Sequence, residues 1–372
     1  MRRSRFSPPL VVFAAVFALI WAAVILVVAV DPLGVFPWGL GPKLDGRDYK
    51  NLKTLLLVDA VIRDPSIDVV LVGSSTGWRF RRGMMNRTLP ARNAINLSYA
   101  AALPADRALV MDRLGRLGHF KRIIMTLDWS YIVSPEEMRD GFPAYLYDDS
   151  VLGKIRMVDS ITVGLALDRL QGKPLNLSQW QTGDEDIEDP AADGGPRNIQ
   201  NPRDLRRVAR QVAQYRAQVD LPSGLRCADY GTVNRQLVPE ARLLSARHIA
   251  FDVLIMPLSL AIYYSPPRGE FPFMNRELQM RACAVKALDG IPGVRIFAFD
   301  NVPGLTDDLA NYKNTAHLRK PELFVMMLRA ISQGTHRLTR ANIDGEMALL
   351  RQRILNLKVR DSEIPGFASD GS

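Results

Sequence analysis

Apolar and polar positions are distributed along this chain in three distinct ways. From Pro9 to Val30 there is no alternation: PLVVFAAVFALIWAAVILVVAV is apolar throughout and carries no charge. At about 1.5 Å per residue, a helix of this length crosses the roughly 30 Å hydrocarbon core of a bilayer. Short apolar or β-branched runs at Ile67–Val72, Arg122–Leu127, Phe251–Met256 and Val294–Phe299 have the length and composition of strands buried on both faces. Helical spacing marks Pro104–Leu117, which opens on a proline, and also Arg276–Leu288 and Pro321–Ile331. Strand, helix and strand in repeated order predict an α/β fold: an open, mostly parallel sheet flanked by helices.

The predicted organisation is a cytoplasmic N-terminus at 1–8, a transmembrane anchor at 9–30 and a neck at 31–66, with a helix near Tyr49–Arg63. The α/β domain is expected from 67–134 and 246–335, split by an inserted helical and loop region at 135–245 and followed by a C-terminal helix and tail at 336–372. Helical patterns at Val151–Leu170 and Arg203–Arg216 flank a polar stretch bearing Gly and Pro inside the insertion. Arg2, Arg3 and Arg5 precede the apolar run and Asp31-Pro32 ends it, which predicts the N-terminus inside and the rest outside. The rival is a cleaved signal peptide, whose apolar region is usually about 7–15 residues and ends in a small-x-small site. This run is longer, and Val28-Ala29-Val30-Asp31 is a poor cleavage site.

Composition narrows the partners. The 372 residues carry 48 basic and 39 acidic side chains, a net charge of +9 that suits an anionic surface without identifying one. The basic residues are scattered, with neither zinc-ligand spacing nor an aromatic-basic platform, so nucleic acid is not an expected partner. No phosphate-binding glycine loop follows a strand, and no cofactor is expected. Asp184, Glu185, Asp186, Glu188 and Asp189 read as a solvated loop without calcium-loop spacing, and no metal is expected. Arg206, Arg207 and Arg210 read first as a solvated helix face, with anionic lipid or glycan as the alternative partner of that face. Export would place Cys227 and Cys283 in an oxidising compartment; a disulfide and two buried thiols are both open readings.

Candidate chemistry begins at Ser75, in the turn Gly73-Ser74-Ser75-Thr76-Gly77 that ends the first strand. Sites in open parallel sheets are built at the carboxyl ends of strands. Such a turn lifts a hydroxyl clear of the sheet and leaves backbone N–H groups beside it to stabilise an oxyanion. The hydroxyl needs a base to take its proton. Of the 4 histidines, His119 and His248 precede strands and His336 follows the helix Pro321–Ile331, whereas His317 lies in a loop after the strand Val294–Phe299. Topology therefore puts His317 on the same edge as Ser75.

A strand ending in Gly73-Ser74-Ser75, then Asn96-Leu97-Ser98, a strand ending Leu127-Asp128-Trp129, and a late Asn314-x-x-His317 together resemble the SGNH (GDSL-type) hydrolase superfamily. More narrowly they are similar to its membrane-anchored branch, which includes alginate O-acetylation proteins and the protein that transfers D-alanine to teichoic acid. The resemblance covers about 60–335 in order and implies Ser75 as nucleophile and His317 as base. It implies Ser74, Asn96, Ser98 and Asp128 as oxyanion or substrate-binding positions. Ser74 replaces the aspartate of the family's Gly-Asp-Ser, Asp128 stands where the pattern carries asparagine, and Asn314 stands where it carries the aspartate of Asp-x-x-His. Either Asp307 or Asp308 stands in behind the ring, or Ser75 and His317 work as a dyad, or the chemistry is lost. The implied function is a serine O-acyltransferase or esterase acting on an envelope glycan, with an acyl donor and a membrane acyltransferase as partners. The implied location is a bacterial cytoplasmic membrane, with the soluble part extracytoplasmic. The alternative is an inactive scaffold or glycan-binding component of an envelope assembly.

Overall fold

The computed structural model describes residues 8–31, 54–99, 102–128, 131, 138, 147, 160–173, 202–264 and 273–357. They fall into two compact units, one within 1–63 and 143–182, the other within 64–142 and 183–372. The N-terminal arginines, the neck from 32 to 53, the first part of the Val151–Leu170 pattern and the acidic stretch 184–189 lie outside the described residues.

In the first unit a helix runs from Pro8 to Val30 and packs against the helix Ser160–Leu170. Thr54–Arg63 adds another helix. The Pro9–Val30 stretch reaches a mean hydropathy of 3.1 over 18 residues and is long and apolar enough to cross a membrane. Its large side chains face outward, Phe13 68% and Leu19 71% exposed. Contiguous apolar surface of this kind requires an apolar surrounding or an apolar partner.

The second unit is built on one sheet. In chain order its elements are β1 (Val69–Val72), α1 (Arg82–Thr88), β2 (Ala94–Asn96), α2 (Pro104–Leu117) and β3 (Arg122–Leu127). Then come α3 (Pro202–Tyr215), a π turn at Val233–Leu237, α4 (Val238–Ala246) and β4 (Ala250–Ile255). The chain closes with α5 (Phe273–Leu288), β5 (Val294–Ala298), α6 (Pro321–Gln333), β6 (Arg337–Leu338) and α7 (Ile343–Leu355).

The strand order is β2-β1-β3-β4-β5-β6; the first five are parallel and β6 runs antiparallel to β5. The expected α/β architecture is thus present. Val70, Leu71, Val72, Ile123, Ile124, Phe251 and Val253 are fully buried, each stabilising the sheet by about 1.5–3 kcal/mol. Asp68 closes the amino edge: its carboxylate accepts the Arg92 and Asn93 amides at 3.1–3.2 Å and lies 3.5 Å from Lys121. Burial pushes that carboxyl up, but the two amides and the lysine outweigh it and hold it below the usual range.

Strand direction of travel reverses at β1. The chain leaves β1 to one side for β2, then returns across it to β3 on the other. At such a switch point the connections part and leave a crevice at the carboxyl ends of the two strands. The region expected as one insertion divides. Ser160–Leu170 belongs to the first unit, whereas α4 packs against α2 and β4 and is the last leg of the β3–β4 crossover. Of the two open readings for the cysteines, the structure takes the disulfide: Cys227 and Cys283 are bonded with Cα atoms 5.3 Å apart, joining that crossover to α5.

Candidate active site

The switch point lies between the carboxyl ends of β1 and β3, and both ends carry polar groups. After Val72 the chain enters Gly73, where a Cβ would sit 2.0 Å from Thr126 Oγ1 on β3. Only glycine allows the two strand ends to run that close. Ser74 then caps a short 3-10 turn, Ser75–Gly77, its hydroxyl accepting the Thr76 amide at 3.4 Å while the Gly77 amide bonds the Ser74 carbonyl at 2.9 Å. Ser74 and Thr76 turn inward and are buried; Ser75, between them, is half-buried and faces out.

The Ser75 hydroxyl meets His317 Nε2 at 2.9 Å. Ser75 and His317, 242 residues apart in sequence, therefore come together at one rim. The ring's other nitrogen, Nδ1, lies 2.8 Å from Asn314 Oδ1. That same oxygen accepts the backbone amides of Ala316 and His317, each at 3.0 Å. Two N–H donors cannot face an amide nitrogen, so the oxygen end of Asn314 is fixed toward the ring. Nδ1 must then carry the proton, and Nε2 presents a lone pair to the Ser75 O–H. This is the tautomer that general-base catalysis needs.

The loop carrying His317 is held from several sides. Asn311 Nδ2 donates to the Gly304 and Leu305 carbonyls at 2.7 and 3.0 Å, and the Ser259 amide donates to the Thr315 carbonyl at 3.1 Å. Asp300, which follows β5, bonds the buried Arg281 at 2.7 Å. Arg79, four residues beyond Ser75, donates to the Arg319 carbonyl at 3.0 Å and ties the serine turn to the histidine loop.

Neither neighbouring carboxylate stands behind the ring. Asp308 caps the short turn Leu309–Asn311 by accepting the Ala310 amide at 2.8 Å, and Asp307 pairs with Arg353 at 3.3 Å. The position belongs to Asn314.

The residues expected at oxyanion or substrate-binding positions bond to protein groups. Asn96 spends both amide protons on the Gly77 and Phe80 carbonyls, at 2.9 and 3.0 Å, and its oxygen accepts the Ser98 amide at 2.8 Å. It brackets the exit of the serine turn and has no proton left for a substrate. Ser98 is buried beneath the turn, its hydroxyl 2.6 Å from where a Gly77 Cβ would project. Ser74 points inward, and Asp128, as a carboxylate beside Arg107, accepts rather than donates. Among the described residues no acceptor is recorded for the Ser75 backbone N–H.

Below the turn is a cluster that the sequence did not disclose. Asp128 Oδ2 accepts the Ser74 hydroxyl in a short bond and the Thr76 hydroxyl at 3.3 Å. Its Oδ1 lies 3.7 Å from Arg107 Nη2, both side chains being buried. Arg107 also donates to the Thr126 carbonyl at 2.9 Å and stacks on Tyr131 at 4.4 Å. Burial opposes the arginine's charge, but Tyr131, Asp128, Tyr99 and Glu240 outweigh that and hold its pKa above the usual value. Burial drives the Glu240 carboxyl up to about 7, Arg107 opposing and Asp112 adding to the rise. No helical or strand periodicity signals an arginine on the inner face of α2. The adjacent Asp128 was visible, but its partners were not.

Among the described residues no group of three His, Cys, Asp or Glu side chains is placed to hold a metal ion. Compared with known proteins, the chain matches no family model and no curated protein.

Proposed function

We propose that this chain is a membrane-anchored serine acyltransferase or esterase of the SGNH (GDSL-type) kind, moving O-acyl groups of a cell-envelope polysaccharide or glycan. The observation that carries the reading is the 2.9 Å bond from Ser75 Oγ to His317 Nε2, on a ring whose proton is held at Nδ1 by Asn314. Position at a switch point supports it further, because such crevices are where open α/β sheets bind ligands.

Ser75 gives its proton to Nε2 as Oγ bonds to the carbonyl carbon of an ester. The oxyanion that forms meets the Ser75 N–H. On collapse the bond to the leaving alcohol breaks, and Nε2–H protonates that oxygen. A glycan hydroxyl or water then attacks the acyl-Ser75 ester, its proton passing to Nε2 and back to Ser75 Oγ. The two outcomes, transfer and hydrolysis, differ only in which acceptor reaches the acyl-enzyme. Papain-like proteases use asparagine in the same orienting place, so an amide behind the ring is compatible with turnover.

The apolar N-terminal helix and the disulfide support an anchor in a bacterial cytoplasmic membrane with the enzyme on its oxidising side. A fluorophosphonate should label the purified protein on Ser75, and labelling should vanish in Ser75→Ala and fall at least a hundredfold in His317→Gln. A folded wild-type protein that takes no label removes the enzyme reading and leaves the non-catalytic envelope component.

A further inference from the structure

We propose that Asp128 is the positioning residue for the nucleophile, acting through the two hydroxyl side chains on either side of Ser75. This rests on the reading of Ser75 as a nucleophile and adds a residue to it. Ser74 and Thr76 are buried, and each directs its hydroxyl at Asp128 Oδ2. The two hydroxyls also lie 3.1 Å from each other, so the three groups form a closed triangle. Fixing the residues before and after Ser75 fixes its φ and ψ, and with them the direction of both its Oγ and its N–H. Oγ must stay on Nε2, and the N–H must face the forming oxyanion. One carboxylate therefore sets two catalytic vectors at once.

Hydrogen bonds to an ionised acceptor are about twice as strong as neutral ones, which suits a clamp on a three-residue turn. The carboxylate faces Arg107, fully buried and 3.7 Å away, which is itself tied to the β3 backbone through the Thr126 carbonyl. The serine turn is thus referenced to β3, the strand across the switch point, and not only to β1 from which it emerges. A displacement of about 1 Å at a nucleophile can lower its rate on the order of 100-fold, so loss of the clamp should be visible in the chemistry before it is visible in the fold.

The test compares second-order rates of fluorophosphonate labelling at Ser75, with the thermal midpoint of each variant recorded beside them. Asp128→Asn and Ser74→Ala are each expected to lose about tenfold or more in rate while remaining folded. Ser74→Asp alone sets two carboxylates against each other and is expected to lose as much. The exchange variant, Ser74→Asp with Asp128→Asn, restores one carboxylate and one donor across the same gap, keeps Arg107 neutralised, and is expected to return to within about threefold of wild type. A role confined to stability would not give this rescue. Single variants that label within twofold of wild type overturn the proposal, as does an exchange variant that folds and stays slow. If Asp128→Asn does not fold, Ser74→Ala and the exchange variant decide. A wild type that takes no label is a different result: it removes the nucleophile itself, and the positioning role with it.

Discussion

Two backbone amides, those of Ala316 and His317, decide which end of the Asn314 side chain faces the imidazole. In a serine protease triad, replacing the aspartate by asparagine lowers turnover about 10⁴-fold because the amide enforces the wrong tautomer. Here the loop itself prevents that failure, and what the amide lacks is only charge. Asn314→Asp should keep the acceptor and add the charge, so the labelling rate should rise severalfold. The pH midpoint of its profile should move upward, since a neighbouring carboxylate favours the protonated ring. Asn314→Ala should release the ring and lower the rate by about 10- to 100-fold. Labelling rates measured from pH 5 to 9 check both; a faster Asn314→Ala would mean that the asparagine does not orient the base. At this scale the sequence disclosed that Ser75 and His317 share an edge, because each follows a strand there. It did not disclose that Ser74 and Asp128, which depart from the resembled pattern in opposite senses, are partners across 54 residues. Pairings across a fold leave no local trace.

Close approach of β1 and β3 is what brings these side chains together, and Gly73 permits it. Gly73→Ala would place a methyl 2.0 Å from Thr126 Oγ1. Overpacking of this kind costs about 1–3 kcal/mol, and it should also lower the labelling rate because the serine turn begins at the next residue. Thr126→Ala removes the clashing hydroxyl, although its Cβ remains at 3.2 Å, so the double variant should recover part of the loss. Urea midpoints of the two singles and the double check this; strictly additive losses would mean that the two residues do not meet. At the scale of elements, β3 spans the predicted Arg122–Leu127, because a six-residue run buried on both faces has few other ways to fold. β2, with three residues, and β6, with two, are too short to show any period. Helix α4 was folded into the expected insertion because Val238–Ala246 mixes polar and apolar positions without a clean stripe. Only its packing on β4 shows where it belongs.

The whole chain combines an apolar helix with an α/β unit whose site needs residues from both ends of its sequence. The anchor reading makes a direct prediction. Phe17→Lys with Ile20→Lys places two charges in the middle of the apolar run, each costing about 2.5–3.5 kcal/mol on insertion. The full chain should sediment with membranes after a carbonate wash and the double variant should not; a variant that still sediments would argue against a spanning helix. The disulfide acts at this scale as well. Cys227–Cys283 closes a loop with a sequence separation of 56, which in the chain-entropy account restricts the unfolded ensemble by about 4 kcal/mol. That contribution exists only where thiols are oxidised. With both thiols reduced, the long crossover is unfastened from α5 and the unit should unfold more easily. Thiol chemistry thus ties the hold of this crossover on α5 to the redox state of its surroundings.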